Sequence, residues 1–402
     1  RPTITAEVRG NSRSLADLTG TARVAITNAV YRLEPVTELR TMVHYTNGSV
    51  VFTGTDLLQS TNRILAPWMR FDPKANLLWF TNATARVDLA SLARVIGPRT
   101  ADTLGPYHFP VPPEVEVNGV IPTADEAEAD VVFKTRAPAF EWWYFKFTNL
   151  VATVGWKGDR LSITNVTSGF YGGSLETDIQ LDLTQPRNTV FTADPRFRDV
   201  RVDLLMEDLV TRTNQLGGLL SGQVLVEQGQ SRKGMPWRGH GNAEIRDGLL
   251  WGLPLFGLLS PVFDAVAPGM GKARFNAGNG TFVFTNNTVD FQKVELISSA
   301  MRLDLKGGVD FDGNVDLLLE ARPLRDVPVL GAILDVVLVP FTKLFEYKIG
   351  GTLGQPNAEL RHVPSFLLAP LRPFKMLKGV FQGPDLKKLP DRSHLKGSPV
   401  GP

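Results

Sequence analysis

The sequence contains no cysteine and only five histidines in 402 residues. The missing cysteine excludes disulfide frameworks, thiolate nucleophiles and cysteine metal sites, and leaves an oxidising compartment tolerable. His44, His108, His240, His362 and His394 stand far apart, with no His-x-x-x-His or Glu-x-x-His spacing, so neither a metal site nor a proton relay is expected. An excess of one charge is also missing. Lys+Arg number 43 against 41 Asp+Glu, a formal net charge of +2, and a nucleic-acid partner is not expected. The longest apolar run, 327–338, is about a dozen residues and holds Asp335, whereas a membrane-spanning helix needs roughly 20. Arg1-Pro2-Thr3-Ile4 opens no charged segment followed by an apolar region, so no signal peptide is read there.

Completed catalytic motifs are absent as well. There is no Gly-x-Ser-x-Gly elbow, and Gly239-His240-Gly241 and Gly269-Met270-Gly271-Lys272 fall short of phosphate loops and read as turns. Asp310-x-Asp312-Gly313-x-x-Asp316 lacks the full calcium-loop spacing and its terminal Glu, and reads as a hairpin turn. No catalytic residue, metal or cofactor is assigned, and a non-enzymatic protein is expected.

What is present is period-two alternation. Met301, Leu303 and Leu305 alternate with Arg302, Asp304 and Lys306, and Val315, Leu317 and Leu319 follow across an Asp-Gly step. Trp143, Phe145 and Phe147, Leu161 and Ile163, Ile179, Leu181 and Leu183, and Phe282 and Phe284 alternate likewise. These are half-buried antiparallel strands. A short signature recurs: Ile26-Thr27-Asn28, Phe80-Thr81-Asn82, Phe147-Thr148-Asn149, Ile163-Thr164-Asn165 and Phe284-Thr285-Asn286 each set Asn after a β-prone pair, and Asn is expected at a strand end or turn. Helical patterns are few: one after Pro254, one from Pro328 to about Phe345, and one near Pro373.

The Pro-rich stretch 106–122 and the acidic 125–130 suggest a boundary, giving an N-terminal β-rich segment 1–125, a region 126–361, and a tail 362–402. Residues 361–402 carry eight Lys/Arg and two Asp/Glu, net +6, which leaves +2 − 6 = −4 for the rest. Within that tail, Phe374, Leu377 and Phe381 beside Lys375 and Lys378 suit either an anionic membrane surface or an open sheet edge. The run Glu141-Trp142-Trp143-Tyr144-Phe145 suits core or groove lining, or a platform for sugar rings.

The segments 241–250, Leu253-Pro254-Leu255-Phe256-Gly257-Leu258-Leu259, Gly280-Thr281-Phe282-Val283-Phe284, the Asp-Gly hairpin, Pro328-Val329-Leu330-Gly331 and 347–356 follow one another in a set order. In that order they resemble the C-terminal region of the AsmA family, bacterial envelope proteins related to TamB and, more distantly, to bridge-like lipid-transfer proteins. Gly169-Phe170-Tyr171-Gly172-Gly173 upstream looks similar. The resemblance implies a mostly β fold: a long, curved antiparallel sheet forming an open apolar groove, with a few short amphipathic helices. It further implies phospholipid or another acyl lipid as partner, a periplasmic or envelope location with membrane association, and possible envelope protein partners.

The residues alone point the same way. Alternating strands must bury an apolar face, and few helices are available to cover it. The sheet therefore closes on itself or leaves a trough, and apolar trough surface costs on the order of 25 cal/mol per Å² in water. Candidate groove residues are Trp143, Phe145, Phe147, Ile163, Phe282, Phe284, Met301, Leu303, Leu305, Leu317 and Leu319. The alternative is a fully packed β-rich structural or protein-interaction subunit, and a glycan-active enzyme would need paired carboxylates in an aromatic cleft.

Overall fold

The computed structural model describes residues 2–10, 18–31, 34–59, 62–86, 88, 107–123, 129–142, 145–185, 188–209, 217–232, 236–249, 275–298, 301–323, 345–352 and 355–362. Among them the chain forms two compact units, the first of residues 2–169 and 176–190, the second of 170–175 and 191–362. Both are built of antiparallel strands, as the alternation predicts. Trp143, the helical patterns after Pro254, Pro328 and Pro373, and Phe374, Lys375, Leu377, Lys378 and Phe381 lie outside the described residues. Among the described residues no helix is long and apolar enough to cross a membrane.

In the first unit, β1 (Pro2–Arg9), β2 (Thr19–Tyr31), β3 (Glu34–Thr46), β4 (Ser49–Gln59), β5 (Asn62–Asp72) and β6 (Leu77–Arg86) form a run in which each strand from β1 to β5 pairs with its successor. The two-residue β7 (Tyr107–His108) pairs instead with β9 (Asp130–Trp142), while β6 continues onto β8 (Glu114–Pro122), β8 onto β9, and β9 onto β10 (Phe145–Lys157). The strands β11 (Arg160–Phe170) and β12 (Gly173–Asp182) follow for the most part, whereas β13 (Val190–Ala193) belongs, but for Val190, to the second unit.

The second unit runs from β14 (Arg196–Arg201) through a short helix α1 (Val202–Leu209) to β15 (Gly217–Gln230), β16 (Arg238–Leu249), β17 (Phe275–Thr285), β18 (Thr288–Ser298), β19 (Met301–Asp310), β20 (Val315–Pro323), β21 (Phe345–Thr352) and β22 (Gln355–His362). Each strand from β14 to β21 pairs antiparallel with its successor. The Asp-Gly hairpin joins β19 to β20. The Gly313 amide donates to the Asp310 carbonyl at 2.9 Å, and the Asn314 amide donates to the Asp310 carboxylate at 2.8 Å. The Asn314 side chain also donates to that carboxylate and, with its amide, holds the carboxyl below the usual range.

The recurring Asn signature is not chiefly a strand end. Asn28, Asn82, Asn149 and Asn165 lie inside β2, β6, β10 and β11 with φ of 51°, 51°, 51° and 54°; only Asn286 sits at a turn. Gly54 in β4, Asp199 in β14 and Asp247 in β16 take the same left-handed conformation. Such a residue adds one position to the strand, so side chains run in, out, out, in rather than alternating. Phe80 and Ala83 turn inward while Thr81 and Asn82 are exposed, and Phe197 and Val200 turn inward while Arg198 and Asp199 are exposed. At three of these positions the kinked amide is met by a side chain of the adjacent strand. Asn82 N–H donates to Asn118 Oδ1 at 2.7 Å, Asn165 N–H to Asp178 Oδ1 at 2.8 Å, and Asp199 N–H to Ser221 Oγ at 2.9 Å. Asn and Asp fill these places because their short polar side chains tolerate left-handed backbone.

Gly239 and Gly241 correct another sequence expectation, for they lie within β16 and make no turn. They oppose Phe284 and Phe282, and a Cβ at Gly239 would stand 2.3 Å from Phe284 Cζ and 2.1 Å from the Leu225 carbonyl oxygen. The glycines leave room for phenyl rings to lie across the neighbouring strand.

Candidate functional site

Residues directly opposite in antiparallel strands share a face, so the register maps each face without further assumption. In the second unit one face carries Phe282 and Phe284, Val294 and Leu296, Leu303 and Leu305, Leu317, Leu319 and Ala321, then Tyr347 and Ile349. Six of the candidate groove residues, from Phe282 to Leu319, are thus gathered on one face, and Met301 lies two residues before Leu303 on β19. This face is buried at its centre: Leu303, Leu319, Ala321 and Ile349 are 0% exposed and present no free surface. Burial also pushes the Tyr347 hydroxyl pKa up.

The reverse face of those strands is charged. Glu295, Asp304, Glu320 and Glu346 oppose one another across four strands, with Arg302 opposite Arg322 alongside. Four carboxylates in a row repel, and the basic row offsets them. Arg302 bridges Glu295 and Asp304, and Arg322 reaches Asp304 at 3.2 Å and Glu320 at 2.9 Å. A hydrogen bond from Lys293, aided by Arg302, holds the Glu295 carboxyl below its usual range.

The first unit has the same two-faced character with a different degree of cover. Across β3 to β6 runs a line of small residues, Thr41, Thr55, Ala66 and Ala83, all buried. The Thr41 and Thr55 hydroxyls satisfy one another at 2.8 Å. Ala83 then opposes Val117, and Val117 opposes Phe133. On one side of this floor stand Ile26, Leu39, Leu57 and Ile64, mutually opposed; on the other stand Val43, Phe52, Met69 and Phe80. All eight flanking side chains are only half-buried. Four strands at about 4.8 Å spacing give this furrow a run of about 14 Å across β3–β6. The reverse face mixes charge with apolar surface: exposed Leu65 and Trp68 stand on it with Arg40, Asp56 and Arg63, and Arg63 donates to Asp56 at 2.8 Å and holds that carboxyl below its usual range.

No protein-family model, curated protein or solved structure matches this chain.

Of the remaining candidates, Phe145 and Ile163 are half-buried in the first unit, and Phe147 is buried against Phe140 at a ring distance of 5.5 Å. Phe140 also packs on Phe109 at 4.9 Å and stacks with Tyr107 at 6.4 Å, forming an aromatic cluster at the ends of β9 and β10. Sequence reasoning missed the furrow itself. Its signal is present in Leu39, Thr41, Val43 and Tyr45, but in β4 and β6 Gly54 and Asn82 reset the alternation, which hides a period of two. Among the described residues no group of three or more His, Asp or Glu is placed to hold a metal ion.

Proposed function

We propose that this chain shelters the acyl chains of phospholipid or a similar lipid on an apolar sheet face, without altering the lipid chemically. The observation that carries the reading is the furrow of the first unit: eight large apolar side chains, half-exposed, flank a continuous floor of small residues. Water is a poor partner for such a surface. Covering each 100 Å² of it with an acyl chain contributes about 2.5 kcal/mol. The fold agrees with the curved β-groove architecture that the AsmA resemblance implies, and an envelope location beside a membrane follows from that resemblance. A second reading, a β-rich structural or protein-interaction subunit, is favoured by the fully buried face around Leu303, Leu319 and Ile349.

Native mass spectrometry with lipid extraction separates the two. The first reading expects co-purified lipid from the wild-type chain and its loss in Met69→Asp, because a carboxylate in an apolar furrow is costly unless paired. Circular dichroism and a melting curve establish that the variant is folded. Lipid-free wild-type protein, or a folded Met69→Asp variant carrying wild-type amounts of lipid, would refute it.

A further inference from the structure

We infer that the charged face of the second unit holds a binding site for a phosphate monoester beside Lys306, Lys348 and Arg361. These three cations line a depression of about 330 Å³ together with Gly307, Asp316 and Leu318. That is room for a phosphate with a small organic group attached. The register builds the site. Lys306 opposes Leu318 and Leu318 opposes Lys348, so both lysines stand on one face, two strands and about 10 Å apart, with the leucine between them. Arg361 is the residue that β22 adds at its register shift, where Leu360 opposes Tyr347 and His362 opposes Glu346. An extra residue of this kind re-aims a side chain. Gly307 has a φ of 114°, and a Cβ there would stand 2.2 Å from the Asp316 carbonyl oxygen. Only glycine fits, and with Gly308 after it β19 is bare beyond Lys306, which opens the depression.

Charge selects the ligand. In the neighbouring row Arg302 and Arg322 are held by Glu295, Asp304 and Glu320. Among the described residues Lys306 and Arg361 have no ion pair or side-chain hydrogen bond, and Glu359, which opposes Lys348 on β22, has none either. Lys348 reaches Asp316 at 3.0 Å, but that carboxylate is 78% exposed, so water screens the pair. Three cations less one lining carboxylate leave +2 around the depression, as much as the net charge of the whole chain. A phosphate monoester carries about −1.5 to −2 at pH 7 and matches it. The Arg361 fork can hold two of its oxygens while the lysines act as point charges. Leu318 offers apolar contact to the attached group. The same phosphate can arrive on a soluble ester or on a lipid headgroup, and the proposal does not rest on lipid sheltering in the first unit.

Isothermal titration of the full chain with glycerol 3-phosphate reads the soluble source. Flotation with phosphatidylcholine vesicles, with and without phosphatidic acid, reads the lipid source. At least one ligand should bind, and more weakly as salt is raised, because the site is open to solvent. Lys306→Gln plus Arg361→Gln should weaken that binding about tenfold or more. Arg23→Gln plus Arg86→Gln, at exposed positions of the first unit, removes the same charge and should leave binding unchanged. Asp316→Asn should tighten binding about threefold by removing the lining carboxylate, a gain that misfolding does not produce. Circular dichroism checks the fold of each variant. Titration with glycerol 3-phosphate assigns a soluble ester, and capture by phosphatidic acid vesicles alone assigns a lipid headgroup. Binding of neither, equal loss in the two double variants, or no tightening in Asp316→Asn would overturn the proposal.

Discussion

Asn82 offers a sharp test of why the strands keep one face apolar. Its φ of 51° lies where an ordinary residue is disfavoured by about 1–2 kcal/mol, and β-branched residues fare worse. The kink exists because β6 spends three residues from Phe80 to Ala83 while β8 spends two from Gly119 to Val117. Asn82→Gly should leave stability within about 1 kcal/mol of wild type, since glycine reaches this region freely but loses more entropy on folding. Asn82→Val should cost about 2 kcal/mol or more. Asn118→Ala removes the acceptor of the 2.7 Å bond and should cost about 1 kcal/mol by itself. If the kink and its acceptor act as a unit, the Asn82→Val, Asn118→Ala double variant should lose less than the sum of its parts. Urea unfolding followed by circular dichroism reads all four. An Asn82→Val protein as stable as Asn82→Gly would refute the reasoning.

Leu319→Ala, at a site with no exposed surface, should cost about 2–5 kcal/mol in chemical unfolding. Gly239→Ala should destabilise by about 1–3 kcal/mol because its Cβ meets a backbone oxygen, whereas Gly217→Ala, with no atom within 4 Å, should be neutral in the same thermal melts. The Glu295 carboxyl, held low by Lys293 and Arg302, contributes stability that is full above the ordinary glutamate pKa of about 4.3 and is lost as pH falls toward its lowered native value; Glu295→Gln should flatten the stability–pH curve there.

The β class and the Asp310–Asn314 hairpin were legible because alternation and an Asp-Gly step are local signals. The mid-strand kinks were visible only as a recurring Thr-Asn pair. Asn is equally at home in a turn and in a left-handed kink, and only the β-prone residues continuing past it, such as Ala83 after Asn82, separate the two. The furrow was missed for the same reason: a strand that resets its phase at Gly54 shows no clean period. Helix α1 was missed because eight residues are too few for a helical stripe; Asp203 in its first turn and the 2.8 Å bond from Tyr171 to Asp208 fix it in place. In the second unit the register sets Phe282, Phe284, Leu303, Leu305, Leu317 and Leu319 on one face, yet burial depends on what lies over a face, which spacing along one strand does not encode.

From β2 to β6 each strand pairs with its immediate successor, with turns as tight as Asn47-Gly48, both at positive φ. Contacts close in sequence cost little loop-closure entropy, so each strand has its template in place before it emerges from the ribosome. Folding of this stretch can proceed by accretion, one hairpin at a time, in the order of synthesis. Stability then approximates a sum of neighbour-to-neighbour terms, and damage to one strand pair frays the stretch locally instead of collapsing it at once.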